Sequence, residues 1–149
     1  MMYKSELFTL IYNMLTIKAE TKYGLQALLY LALRRKQYCS AAEIARNEAI
    51  PYQFLEKILL QLKEANFLKV KRGVNGGYIL SVPAQKISLA EILKTLEGSL
   101  TSIACFQGEK KCRELVKNCP LKKAWQRVAS SLDETLSSIS LADLLINNE

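Results

Sequence analysis

SAAEIARNEAIPYQFLEKILLQLKEANFLKVKRGVNGGYILSV (residues 40–82) changes its hydrophobic period along its length, and those changes decide the fold. It opens on Ser40-Ala41-Ala42-Glu43, a capping box in which the serine oxygen accepts from a free helix N–H and the glutamate reaches back to the cap N–H. The box predicts a short helix over about 41–48. Ile50-Pro51 restarts the chain, because proline is tolerated in the first turn of a helix. Apolar residues then recur at Phe54, Leu55, Ile58, Leu59, Leu62 and Phe67, predicting a helix of about four turns. From Leu68 onward the pattern is that of two short strands around a loop containing Gly73, Asn75, Gly76 and Gly77, residues that accept positive φ.

On the N-terminal side, Leu25, Leu28, Leu29, Ala32 and Leu33 form a helical stripe over about 21–35 that ends in the basic run Arg34-Arg35-Lys36. On the C-terminal side, a second capping box, Ser88-Leu89-Ala90-Glu91, starts a helix of about eight residues that stops at Gly98. Pro120 sits at a first helical position, and Leu121, Trp125, Val128, Leu132, Leu136 and Ile139 recur at helical spacing over about five turns. A one-sided helix of this length in a small protein calls for a partner surface, and Trp125 on its stripe reads as a core or dimer anchor. Ser140-Leu141-Ala142-Asp143 caps a short last helix. The fold class is therefore mainly α with a small β-hairpin. Residues 1–13 read as an N-terminal extension, either a genuine short helix or an over-extended start; 14–84 carry the helices and hairpin, and 85–149 the cysteine segment and the long helix.

Helix, short capped helix, turn, longer helix and glycine-tipped hairpin is the element order of a winged helix-turn-helix. In that arrangement the longer helix enters the DNA major groove by its N-terminal half, here Tyr52, Gln53, Glu56 and Lys57. Gln53 can read adenine bidentately, and Glu56 can accept from a cytosine amino group. The hairpin becomes the wing, with Lys69, Lys71 and Arg72 placed for phosphates or a narrow minor groove. Asn75, Gly76, Gly77 and Tyr78 complete the DNA-facing set, the glycines allowing close approach of the backbone. A helix pair and hairpin packed for stability, with solvated charges, is the competing reading of the same residues. The glycine-rich tip is not a phosphate loop, since it lacks the Gly-Lys-Ser/Thr ending and lies in a hairpin.

Composition agrees. A chain of 149 residues, half of them apolar, can bury a core without disulfide staples. Its net charge of +7 and pI near 9.3 favour a polyanionic partner, nucleic acid foremost. No segment reaches the roughly 18 consecutive apolar residues of a membrane span, and the first residues carry no small-residue cleavage site. A cytoplasmic protein with no membrane partner is expected.

CFQGEKKCRELVKNCP (residues 105–120) spaces Cys105, Cys112 and Cys119 evenly, in a chain with one other cysteine and no histidine. In a reducing compartment such clustered thiols are more often metal ligands or redox sensors than bridges. On one straight helix, successive thiols would stand about 10 Å apart, too far for a single cluster. Pro120 disfavours helical geometry at Cys119 and Gly108 loosens the first interval, so the segment can fold as a loop that gathers three sulfurs. Cys119 would then cap the long helix, where free N–H groups favour thiolate, and Lys110, Lys111, Lys117, Lys122 and Lys123 add positive potential. This suits the thiolate set of an iron-sulfur cluster; a bare thiol switch, a zinc site and three unrelated cysteines compete with it. Cys39, beside the Ser40 cap, reads as a small, partly buried hydrophobe.

The phrases LTIKAETKYGLQALLYLA, IPYQFLEKILLQLKEANFL, RGVNGGYIL, SLAEIL and CPLKKAW resemble the winged-helix regulators that include the iron-sulfur assembly regulator IscR, the nitric-oxide-sensitive repressor NsrR and the cysteine regulator CymR. The resemblance runs from Met14 to the C-terminus. It implies a homodimeric bacterial transcription factor whose long C-terminal helices cross, with two recognition helices and two wings on a roughly palindromic site in double-stranded DNA. It singles out Glu56 as the residue that discriminates sequences, and Arg72 in the wing. It also matches Cys105, Cys112 and Cys119 to the ligands of a 2Fe-2S or 4Fe-4S cluster that reports iron-sulfur status, nitric oxide or redox state. Where the family can supply a histidine after the third cysteine this chain has Lys122, and where it can supply an N-terminal carboxylate it has Lys22. Glu20 is then the fourth-ligand candidate ahead of Glu109, with solvent or a small thiol as further options. A thiol switch or a metal-free regulator of the same fold is the alternative. A small redox enzyme or electron carrier is the rival from another class, but the chain has no flavin or nucleotide fingerprint and no histidine base, so it is expected not to be an enzyme.

Overall fold

The start of each helix shows how local chemistry sets the architecture. The computed structural model describes residues 17–98 and 120–146, with the backbone alone for 120–122. In chain order the elements are α1 (Ala19–Leu33), α2 (Ala41–Asn47), α3 (Tyr52–Glu64), the strands β1 (Leu68–Lys71) and β2 (Gly77–Leu80), a 3-10 turn (Ala84–Lys86), α4 (Leu89–Glu97), α5 (Pro120–Ser138) and α6 (Leu141–Ile146). At α4 the capping box closes in full: Glu91 N–H donates to Ser88 Oγ at 3.3 Å and Ser88 N–H to Glu91 Oε2 at 3.0 Å. At α6 Ser140 and Asp143 exchange the same pair of bonds. The two box serines also face each other across a backbone bridge, with Leu89 N–H donating to Ile139 O and Leu141 N–H to Ile87 O, both at 2.8 Å. At α2 only half of the expected box forms. Ser40 accepts from Glu43 N–H at 3.1 Å, but the Glu43 carboxylate is drawn away by the Tyr30 hydroxyl at 2.9 Å and the Arg34 guanidinium at 3.7 Å.

The core lies where α1, α3 and α4 meet. Ala27, Leu28 and Leu31 of α1, Ile44 of α2, Leu55, Ile58, Leu59 and Leu62 of α3, Ile92 of α4, and Leu141 are all buried. Each large side chain of this kind contributes about 1.5–3 kcal/mol when fully withdrawn from water. Two residues of the predicted α3 stripe behave differently. Phe54 is 43% exposed, with its ring 6.5 Å from that of Tyr23, and Phe67 lies beyond the end of the helix, after Asn66 in the left-handed region at φ 63°. At the other end of α1, Lys18 N–H donates to Glu97 Oε1 at 2.7 Å, so the last residue of α4 caps the first helix.

The strands pair antiparallel, with Leu68 opposite Leu80 and Lys71 opposite Gly77. A single residue adds a third strand: Cys39 N–H donates to Tyr78 O at 3.0 Å and Tyr78 N–H to Cys39 O at 2.8 Å. Cys39 is therefore wholly buried, not partly as expected, and burial pushes its thiol pKa up. The loop also differs from expectation. Gly73 and Gly77 take positive φ, 110° and 145°, whereas Asn75 and Gly76 do not. Gly76 is needed for space instead, because a Cβ there would meet the Lys71 carbonyl oxygen. A Cβ on Gly77 would run into the Cys39 carbonyl.

On α5 no side chain from Lys123 onward is buried. Trp125, Leu132 and Leu136 are half-buried and Val128 is 51% exposed.

Two outcomes follow from these contacts. Gly77→Ala adds both a clash with Cys39 and a strained φ, so urea unfolding should show a loss of about 1–3 kcal/mol, with wild-type stability counting against the tie. Hydrogen bonds from Ser88 hold the Glu91 carboxyl below its usual range, and those from Ser140 do the same for Asp143. Burial pushes Glu97 up, but the favourable interactions that reach its carboxylate, the Lys18 N–H bond and ammonium among them, outweigh that and leave it lowered. Because these folded pKa values lie below the unfolded ones, their stabilisation is present above the ordinary carboxylate range, about pH 4, and lost as pH falls through the folded values. Thermal melts from pH 7 to 3 should show the decline, and Glu91→Gln should make it shallower.

Candidate nucleic-acid interface

A polar cluster joins α1 to α2, the helix that precedes α3. Tyr30 donates its hydroxyl proton to Glu43, accepts from Asn47 Nδ2 at 2.9 Å, and has the Arg34 guanidinium 3.7 Å from its ring centroid. Burial, and then Glu43, raise the Tyr30 pKa, so the phenol stays protonated as a donor. The turn into α3 is held by Ile50, buried, with its N–H on Ala45 O at 3.0 Å. Nothing in the sequence pattern joined Tyr30, Arg34, Glu43 and Asn47; Arg34 reads there only as part of a basic helix end.

With Leu55, Ile58, Leu59 and Leu62 turned inward, α3 must turn its other face outward. Tyr52, Gln53, Glu56 and Lys57 are all exposed on its first two turns, and the pairs 52/56 and 53/57 each stand one turn apart. Glu56 stands one turn from Tyr52, and the interaction with its side chain raises the Tyr52 pKa.

In the hairpin, Lys69 and Lys71 occupy alternate positions of β1 and so one side of the sheet. Both are exposed, as are Arg72 and Asn75. The Lys71 ammonium lies 5.7 Å from the Tyr38 ring centroid, a contact not foreseen. Among the described residues no carboxylate stands within ion-pair distance of Lys57, Lys69, Lys71 or Arg72. Val74, at the tip, is fully exposed.

The metal candidates are placed less closely. Cys105, Cys112, Cys119 and Glu109 lie outside the described residues. Glu20 is exposed on the first turn of α1, close in sequence to exposed Lys22. Among the described residues no group of three or more Cys, Asp or Glu side chains converges on a common centre, and no helix is long and apolar enough to cross a membrane.

Residues 17–147 match the Rrf2 family, described as iron-dependent transcriptional regulators. The chain is 34% identical over 127 residues to protein aau3 of Rhizobium meliloti, covering 85% of this chain and 82% of that one. It is 27% identical over 130 residues to the HTH-type transcriptional regulator NsrR of Bacillus licheniformis, covering 87% and 86%. The solved structure of CymR, the global cysteine regulator of B. subtilis, superposes with a TM-score of 0.74 at 28% identity, covering 91% of this chain and all of that one. The helices and hairpin are thus those of a winged helix-turn-helix regulator and not of an enzyme, and the chain belongs to the Rrf2 family of transcriptional regulators.

Proposed function

We propose that this transcriptional regulator reads DNA with the exposed first two turns of α3 and with its hairpin, and that a cysteine-bound iron-sulfur cluster controls the binding. The observation that carries the DNA half is the outward patch of Tyr52, Gln53, Glu56 and Lys57 on a helix whose opposite face is buried, followed by a hairpin with exposed Lys69, Lys71 and Arg72. Gln53 and Glu56 offer base-edge chemistry, and the hairpin cations meet phosphates. Asn75, Gly76, Gly77 and Tyr78 carry the wing backbone close to the duplex. In this reading 14–84 bind DNA, and 85–149 sense and dimerise. The stripe of Trp125, Val128, Leu132 and Leu136, only partly covered within one chain, supports a homodimer on a roughly palindromic site.

For the cluster, the donor chemistry fits. Cys105, Cys112 and Cys119 supply three thiols, Cys39 is withdrawn behind the hairpin, and exposed Glu20 offers a carboxylate where the chain has no histidine. A 2Fe-2S or 4Fe-4S cluster held there would supply a centre sensitive to oxidants and nitric oxide. The lysines around the cysteines favour thiolate and offset its negative charge. Likeness to CymR, named a cysteine regulator, favours a second reading in which the same thiols act as a switch without a cluster.

Anaerobically purified wild type should be brown and contain iron and acid-labile sulfide, and Cys112→Ser should be colourless. A wild type that no reconstitution can load would overturn the cluster in favour of the thiol switch. Binding to DNA should weaken steeply with salt, with a log-log slope of about −0.9 for each phosphate contacted. A slope near zero would remove the hairpin cations from the interface.

A further inference from the structure

We propose that the cleft between the end of α1 and α6 is a binding site for a small organic acid, one carboxylate on an aliphatic body. The cavity there measures about 350 Å³, at the small end of the roughly 300–1,000 Å³ of ligand pockets. Its walls are the C-terminal end of α1, β2 and the residues after it, the 3-10 turn, and α6. Ala32 of α1, Ala84 of the turn and Ala142 of α6 stand where larger side chains would close the space, as protein interiors ordinarily do. Leu31, Leu80 and Leu145 make the lining apolar. None of the outward residues of α3 and none of the hairpin cations lines the cavity, so the site is separate from the proposed DNA-facing surface. An acid bound there would nevertheless touch both the hairpin, through β2, and the helix that follows α5.

The rim selects the charge of the ligand. Arg35 and Lys36 line the cavity and are exposed, and among the described residues no Asp or Glu lines it or comes within ion-pair distance of either cation. Lys36 is held there in the left-handed region at φ 66°, a conformation uncommon for residues with a side chain and found most often at ligand clamps and active sites. Two cations without a carboxylate match an anionic head group, and the planar Arg35 guanidinium can pair a carboxylate through two parallel bonds. Ser81 and Gln85 add neutral polar groups. The lining selects the body: among the described residues no aromatic ring borders the cavity, so a nucleobase finds no stacking partner, whereas an aliphatic chain is withdrawn from water against leucine.

The test uses the full-length protein, anaerobically purified and isotope-labelled, titrated with sodium octanoate and with octanol and octylamine as probes of the same chain length. Backbone amide shifts are followed by NMR in the wild type, in the double variant Arg35→Gln, Lys36→Gln, and in Ala84→Trp, which fills the cavity. Octanoate should shift the amides of Leu31, Leu80 and Ala142 saturably and bind about tenfold more tightly than the alcohol or the amine, the ratio expected for one hydrogen bond to a charged group. The double variant should lose that advantage and keep its affinity for octanol, and Ala84→Trp should lose octanoate binding. Arg35 and Lys36 are exposed, so their substitution tests the head-group assignment even if the tryptophan variant does not fold. The proposal is overturned if octanoate moves none of these amides, if octanol binds as tightly as octanoate, or if the double variant or a folded Ala84→Trp binds octanoate as the wild type does.

Discussion

Two backbone hydrogen bonds between Cys39 and Tyr78 hold the hairpin to the rest of the protein. A two-stranded hairpin is marginal in water, because few residues share the cost of ordering it. The third, one-residue strand changes that by joining β2 to the connector between α1 and α2. The tie dictates Gly77, where a side chain would meet the Cys39 carbonyl, and it buries the Cys39 thiol. It also ties the start of β2 to the residue just before the Ser40 cap of α2.

The polar residues are divided between bracing and surface in a consistent way. Tyr30, Arg34, Glu43 and Asn47 satisfy one another behind the helix pair, and Lys18 and Glu97 join the ends of α1 and α4. Surface ion pairs of this kind contribute little energy, but here the hydrogen bonds that accompany them fix angles. Among the described residues no carboxylate pairs with Lys57, Lys69 or Arg72. A protein that binds a polyanion keeps cations free for it, since a cation already paired would have to exchange one carboxylate for a phosphate.

Much of this was legible from residues 40–82. Serine caps, a proline restart and the period of the apolar residues act within a turn or two of chain, so element order and the outward residues of α3 follow from spacing alone. Phe54 shows where spacing stops being sufficient. It sits at a helical interval from Leu55 and Ile58, yet it lies at the edge of the stripe against Tyr23, because only the placement of α1 decides how wide a face is covered. The Ser40 box is a second case: its motif is the same as that of Ser88, but Glu43 has a tyrosine and an arginine within reach from another helix and turns to them. The cysteine triplet offers thiols in a chain without histidine, a property of composition that holds whichever way the segment folds.

The amino-acid sequence by itself therefore determined the elements, their caps, the sign of the surface and the donor types available to a metal, all of which are local or compositional properties. Tertiary structure alone decided that Cys39 is a strand residue behind the wing, that Gly76 is required for space while Gly77 is required for both space and φ, and that Glu43 braces two helices. The reason is the same in each case: these roles depend on which distant backbone or side chain arrives within a few ångströms, and sequence separation carries no such distance.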